Sequence, residues 1–244
     1  MNHQSESKSR LKVFLENPSK ALWSLAIPIM FGMGIQTLYN LVDMIFIGRL
    51  GGQAITGIAF NMPLFFLVLG LTMGLGTGVT AAIARFIGED NKKQADNCAE
   101  HAVFMAALIS IILSSTGLLF GREILSLFGA EGEILNLGWE YLHVMCIGMP
   151  FMIFSGFFRS ILSGEGDMKF PMMVAGLGTV LNIILDPIFI FELDSFGGIG
   201  FGLGIAGAAM ATVISQLVVF FVFIVMLFFK DHSYISFNLN DFTF

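Results

Sequence analysis

Long apolar stretches alternate with short polar connections along most of this chain. There are six of them, and their bounds are Ala21–Ile47, the segment between Arg49 and Arg85, Ala102–Gly121, Glu133–Ser163, Phe170–Phe191 and Ser195–Phe229. Because roughly 20 helical residues cross a bilayer core about 30 Å thick, each stretch is long enough to span it. The second and sixth exceed that length, which predicts tilt, helix beyond the bilayer or terminal loops.

The apolar runs are continuous rather than alternating, as in Leu217–Phe229. Transmembrane β-strands need segments of about 10 residues with period-two alternation, so this pattern does not fit a barrel. A helix satisfies all its backbone polar groups within one segment, as lipid requires. The sequence therefore predicts an all-α integral membrane protein built as a six-transmembrane-helix bundle.

The two ends of the chain are polar. We expect residues 1–20 to form a cytoplasmic lead-in, 21–229 the six-helix lobe and 230–244 a cytoplasmic tail. With an even number of spans and the N-terminus inside, the outer loops hold only Arg49 and Arg122. The other ten basic residues fall on the cytoplasmic side, and this asymmetry supports the count of six. We therefore expect a multi-pass protein of the cell membrane with both termini in the cytoplasm.

Composition agrees with a membrane protein and excludes several other classes. Of 244 residues, 56% are hydrophobic and only 12% charged, against roughly 25% charged in an average soluble domain. The net charge of −6 and the lack of a basic stripe argue against nucleic-acid binding. Cys98 and Cys146 lie in or beside apolar segments, so we expect buried thiols rather than a disulfide framework.

Two aspartates, Asp43 and Asp186, interrupt otherwise uncharged spans. An acidic side chain within a membrane helix usually faces the bundle interior or a water-filled cavity and marks an ion or proton pathway. Asn182 lies four residues before Asp186 and therefore shares its helical face. Gln36 and either Tyr39 or Asn40 lie one or two turns before Asp43 on its face. Carboxylate and amide oxygens suit a hard monovalent cation such as Na⁺, or a proton, and the pattern leaves both open.

Prolines interrupt the same two helices. Pro187 follows Asp186 directly and removes the hydrogen bond to the carbonyl of Ile183, and Pro28, in the first span, does the same to the carbonyl of Ser24. Freed backbone groups in membrane helices line cavities or act as hinges. We expect a hinge at Pro28 and a kink at Pro187.

We expect no catalytic activity. Gly164–Asp167 reads G-E-G-D, as in an intramembrane aspartyl protease, but the positive-inside pattern places it in a cytoplasmic loop. The chain contains no H-E-x-x-H, G-x-S-x-G or phosphate-binding G-x-x-x-x-G-K-[ST] sequence. ATP-driven transport by this chain alone is therefore not expected, and we predict no cofactor other than a coupling ion.

Around the two aspartates and the prolines, the sequence resembles the multidrug and toxic compound extrusion (MATE) family of secondary transporters. The resemblance covers nearly the whole chain and is carried by Ala26–Met30, Thr37–Leu50, Leu162–Asp167, Asn182–Pro187 and Gly207–Ser215. It implies an exporter of cationic or amphipathic compounds in exchange for Na⁺ or H⁺. It also implies two six-helix lobes that alternate between outward- and inward-open states.

The resemblance also assigns roles to single residues. It implies a cation-binding site formed by Asp43, Asn182, Asp186 and Thr212. Gln36 and Tyr39 correspond to polar positions of the substrate cavity, and Pro28 corresponds to a helix-bending proline.

The chain departs from the family in length, since the family has twelve spans and we predict six. Alternating access needs two bundles that rock against each other, so we expect a second six-helix lobe as partner, either a C-terminal half or another chain. Two alternatives stay open: a lipid or lipid-linked-sugar flippase of the related superfamily, and a non-transporting fragment or subunit. A flippase cavity is expected to carry several cationic residues for pyrophosphate, whereas the one cation near a span is Arg159.

Overall fold

A computed structural model describes residues 18–192, 200–229 and 233–235. The side chains of Pro28, Gln36, Tyr39 and Asn40 lie outside the described part of the chain, so the expectations for them stay predictions.

The described residues form helices, joined by short turns. In chain order these are α1 (Pro18–Gly48), α2 (Gly52–Ala59), α3 (Met62–Gly88), α4 (Lys92–Leu127), α5 (Gly132–Gly164), α6 (Lys169–Ile190) and α7 (Gly204–Ile224), which a π-helical turn continues over Val225–Phe229. Helices α3 to α7 are long and apolar enough to cross a membrane, and α1, with 31 residues, has the length of a span as well. The only strand-like feature in the described ranges is an isolated bridge between Glu192 and Phe201. The all-α fold is therefore confirmed.

The excess length of the second apolar stretch forms a separate short helix. Helix α2 ends at Ala59, and α3 starts at Met62 with Pro63 in its first turn, where a missing N–H does no harm. Between them Asn61 is fully buried, and its side-chain amide donates to the carbonyls of Gly57 (2.9 Å) and Gly138 (3.1 Å). Asn61 thereby ties this break in the chain to α5.

Helix α5 is the centre of the bundle, since it packs against α2, α3, α4 and α7. Small residues allow the close approaches. Gly57 of α2 and Gly138 of α5 meet backbone to backbone, and a Cβ added to either would lie 3.0 Å from a main-chain atom of the other. Helix α1 instead packs mainly against α6, and α6 packs against α7. The two helices that carry the intramembrane aspartates are therefore neighbours.

Helix α5 contains an interior proline, Pro150, that the sequence analysis did not consider. A proline has no N–H, so the carbonyl of Cys146 one turn earlier has no donor within the helix. The hydroxyl of Ser114, on α4, donates to this carbonyl at 2.9 Å. A neighbouring helix thus satisfies the group that the proline frees, as an apolar surrounding requires.

Candidate functional site

Four of the predicted site residues come together where α1, α6 and α7 meet. Asp43 belongs to α1, Asn182 and Asp186 to α6, and Thr212 to α7. Asp186 is fully buried, and Asn182 and Thr212 are 3% and 8% exposed. Asn182 and Asp186 lie one turn apart on a face that also buries Gly178 and Ile190, which directs both polar side chains into the bundle.

The carboxyl groups of Asp43 and Asp186 lie within hydrogen-bonding contact of each other. Two ionised carboxylates about 4 Å apart would repel by about 4 kcal/mol at an effective dielectric constant of 20. A proton or a cation between them removes that repulsion. The Oδ1 atom of Asp43 is buried and has no hydrogen-bond partner, so it is available to such a ligand.

The amide of Asn182 connects the carboxyl pair to Thr212. Its nitrogen donates to Oδ2 of Asp186 at 3.0 Å, and its oxygen accepts from the backbone N–H of Thr212 at 3.0 Å.

Oxygen ligands make up this cluster: two carboxylates, one amide and one hydroxyl. Such a set suits a hard cation or a proton. The Thr212 hydroxyl also donates to the carbonyl of Ala208 at 3.1 Å, and its oxygen keeps lone pairs that can act as acceptors. Nowhere in the described ranges do three or more His, Cys, Asp or Glu side chains gather as they would around a transition metal.

The remaining predicted residues are placed differently. Pro187 lies inside α6, directly after Asp186. Arg49, directly after the last residue of α1, lies over the ring of Phe191 at 5.9 Å from its centroid. Phe46 makes an edge contact with the same ring, so the ends of α1 and α6 are held together beside the acidic pair.

A small cavity adjoins the cluster, and sequence reasoning did not find it. Its walls are formed by Arg159 of α5 with Ala175, Gly178, Thr179 and Asn182 of α6 and Thr212, Ser215, Gln216 and Val219 of α7. The helical spacing of Thr179, Asn182 and Asp186 was visible in the sequence. The convergence of α5 and α7 on the same cavity depends on tertiary packing and was not.

Comparisons with known proteins agree on one family. The MatE family profile matches residues 28–188. The probable multidrug resistance protein YoeA of Bacillus subtilis (strain 168) is 32% identical over 207 residues, which is 84% of this chain and 44% of the relative. The multidrug export protein MepA of Staphylococcus aureus (strain MRSA252) is 30% identical over 91% of this chain and 47% of its own length. The FAD transporter of Shewanella oneidensis is 31% identical over 82% and 43%.

Solved structures give the same result. A structure of MATE in the straight conformation superposes with a TM-score of 0.85 at 37% identity, covering 93% of this chain and 48% of that one. An outward-facing multidrug resistance MATE family transporter has a TM-score of 0.82 at 36% identity, over 90% of this chain and 47% of its own. The chain spans about half the length of the curated relatives it matches. On the profile match, the relatives and the shared fold together, the chain belongs to the MatE family.

Proposed function

We propose that this chain is one lobe of a cation-coupled exporter of cationic or amphipathic drugs and toxic compounds. The observation that carries this proposal is the contact between the carboxyl groups of Asp43 and Asp186 inside a bundle of membrane-length helices. Intramembrane acids are expensive to bury and typically mark ion or proton pathways. The names of YoeA and MepA support multidrug efflux as the transported class.

In the proposed mechanism, Asp43 and Asp186 hold Na⁺ or H⁺, and Asn182 and Thr212 supply neutral oxygen ligands. The ion removes the repulsion between the two carboxylates and so favours a close approach of α1 to α6. A cationic substrate competes for the same charges, so that each ligand biases the opposite conformational state. Gln36 and Tyr39 line the substrate cavity, and Pro28 and Pro187 let their helices bend.

A second six-helix lobe completes the proposed transporter, because alternating access requires two bundles that move against each other. The coverage of relatives fits this, since each extends to about twice the length matched here. We place the assembly in the plasma membrane with both ends of this chain in the cytoplasm. The family consists of transporters, so we propose no catalytic reaction.

Cation binding can be measured on the chain itself. Thermal unfolding in detergent is followed by tryptophan fluorescence while NaCl replaces choline chloride at constant ionic strength. Saturation to 100 times the dissociation constant stabilises by about 2.7 kcal/mol, and this stabilisation is expected to vanish in Asp43→Asn and Asp186→Asn. A proton-coupled site would respond to pH instead and not to Na⁺. Glu123→Gln, an exposed acid on α4, is the matched control.

Transport needs both lobes. We expect gradient-driven efflux of ethidium from cells that co-express this chain with a six-helix C-terminal lobe, and its loss in either aspartate variant. Undiminished, gradient-dependent efflux by Asp43→Asn and Asp186→Asn would show that the carboxyl pair does not couple transport.

A further inference from the structure

Arg159 differs from the other described arginines, because no described side chain pairs with it. Arg85 pairs with Glu89 at 2.9 Å, Arg122 donates to Asn136 at 2.8 Å and Arg49 lies over an aromatic ring. No described residue forms an ion pair or a hydrogen bond with the Arg159 side chain. Arg159 instead lines the cavity beside Asn182, and the residue as a whole is exposed.

Two further polar side chains face the same cavity without a hydrogen bond. Thr179 of α6 and Gln216 of α7 line it, and no hydrogen bond from either side chain occurs in the described part of the molecule. Their neighbours on the cavity wall behave differently, since Thr212 donates to Ala208 and Ser215 donates to the Ala211 carbonyl at 2.8 Å. A hydroxyl in a membrane helix ordinarily makes such a bond to its own backbone.

The three unpartnered groups are hydrogen-bond donors of matching chemistry. A guanidinium offers a planar fork of N–H groups that fits a carboxylate, and an amide and a hydroxyl add neutral donors. The cavity holds about 50 Å³. One water needs roughly 10–15 Å³, so the space admits a carboxylate but not a whole drug. Ala175 and Gly178 keep the wall of α6 small.

The position of the cavity relates it to the acidic pair. Thr179 lies two helical turns before Asp186 on α6, which is roughly 10 Å along the axis. A solute that carries a cationic group and, about two helical turns away, an anionic group would contact the carboxyl pair with the first and the cavity beside Arg159 with the second. Arg159 repels cations, so its placement favours an anion at that end.

We propose that Arg159, Thr179 and Gln216 form a subsite for the carboxylate of an amphipathic solute, whose cationic group lies toward Asp43 and Asp186. The subsite extends the proposed function, on which it rests, by naming zwitterions as a preferred class of solute. A phospholipid phosphate could occupy this subsite through the same hydrogen bonds as a carboxylate. Retention of phosphatidylglycerol, measured beside dye binding, distinguishes the two.

Two dyes test the subsite directly. Rhodamine 110 carries a free carboxylate and rhodamine 123 is its methyl ester, so the pair differs only in the anionic group. Binding to the purified chain in dodecyl maltoside is measured by fluorescence anisotropy. We expect rhodamine 110 to bind roughly ten- to a hundredfold more tightly, as suits hydrogen bonds to a charged group.

The variants locate the preference. Arg159→Gln is expected to bring the affinity ratio close to one while rhodamine 123 binds at least as tightly as before, because a repelling charge is removed. Arg159→Lys is expected to retain part of the ratio. The double variant Thr179→Val with Gln216→Leu is expected to lower the ratio without abolishing it. Arg122→Gln is the matched control and keeps the wild-type ratio. Circular dichroism and size exclusion confirm that each variant folds.

Several results would overturn the inference. A wild-type ratio near one, or an unchanged ratio in Arg159→Gln, would show that Arg159 does not bind the carboxylate. If phosphatidylglycerol is retained by the wild type, lost by Arg159→Gln and displaced by neither dye, the site serves a lipid headgroup and not a solute. Binding of neither dye refutes this inference, while the proposed function is then judged by the Na⁺- and pH-dependence of thermal unfolding. A carboxylate preference that survives while Na⁺ or acid fails to displace either dye refutes the coupling site alone.

Discussion

Glu165 holds the segment Ser233–Ile235 against the lobe, and its replacement by glutamine is expected to release that segment. The carboxylate follows the end of α5 and accepts hydrogen bonds from the Ser233 hydroxyl, the Tyr234 N–H (3.1 Å) and the Ile235 N–H (3.2 Å). Lys92, at the start of α4, donates to the Tyr234 carbonyl at 2.9 Å and lies 4.9 Å from the centroid of its ring. Ile235 is 3% exposed and belongs to the core.

The magnitude follows from the hydrogen bonds that Glu165→Gln weakens. Each bond to a charged acceptor contributes about 1.5–3 kcal/mol, and glutamine keeps one oxygen but turns an NH₂ group toward the other donors. We expect a net loss of about 2–3 kcal/mol in the local docking free energy. Since about 1.4 kcal/mol corresponds to a factor of ten, the amides of Tyr234 and Ile235 should exchange roughly thirty- to a hundredfold faster.

A rise in pH should weaken the docking of the same segment. Burial raises the pKa of Glu165, and the hydrogen bonds from the docked segment offset only part of that rise. A carboxyl that undocking returns to water regains its ordinary pKa, so the docked state binds a proton more readily and docking weakens as pH rises through the raised pKa. In Glu165→Gln this pH dependence should disappear.

Hydrogen exchange measured by mass spectrometry, with rates corrected for intrinsic pH dependence, tests both expectations. Glu89→Gln is the matched control, since this acid pairs with exposed Arg85 and with no other described residue. Unchanged exchange of Tyr234 and Ile235 in Glu165→Gln, at both neutral and acidic pH, would refute the assigned role of the carboxylate.

Three further substitutions, two of them with matched controls, test the packing of the lobe by thermal unfolding in detergent. Gly57→Ala should destabilise the lobe by about 1–3 kcal/mol, because the added Cβ meets the backbone of α5. Gly74→Ala is the control and should have little effect, because no atom lies within 4 Å of its added Cβ. Equal effects would contradict the close approach of α2 to α5. Asn61→Ala removes two buried donor contacts and should destabilise by about 1–3 kcal/mol, and a neutral result would argue against the tie between α2 and α5. Ser114→Ala leaves the Cys146 carbonyl without a donor and should destabilise the lobe by about 1–2 kcal/mol. Ser115 is exposed, so Ser115→Ala is the control and should have little effect. Equal losses would refute the pairing of the Ser114 hydroxyl with this carbonyl.

The spans could be read from the sequence because lipid imposes a simple rule of length and polarity. Stretches such as Phe170–Phe191 match helix α6 (Lys169–Ile190) to within one residue at each end. Helix α4 is longer than its apolar stretch, because its polar first turns bury the small residues Ala95 and Ala99 against the bundle. Amphipathic ends of this kind carry no transmembrane signal.

Part of the candidate site was also predictable. The two aspartates were conspicuous by their charge, and the spacing of Asn182 and Asp186 fixed their common face. The adjacency of Asp43 to Asp186 depends on the packing of α1 against α6, which no local pattern encodes. The sequence placed Arg159 near the end of a span but did not reveal the cavity that it lines. The roles of Asn61, Pro150 and Glu165 depend on partners 30 or more residues away.

The pairing of α1 with α6 also affects how the lobe is made. Asp43 enters the membrane early in synthesis, and its partner Asp186 follows about 140 residues later. At roughly 5–20 residues per second, the first acid waits on the order of ten to thirty seconds in the bilayer before the second arrives. Helix α5, against which α2, α3 and α4 pack, also emerges after all three. The nascent lobe is therefore a loose set of helices until its fifth long hydrophobic segment has been inserted. Until that step the translocon or a membrane chaperone has to shield polar surface that the finished lobe buries.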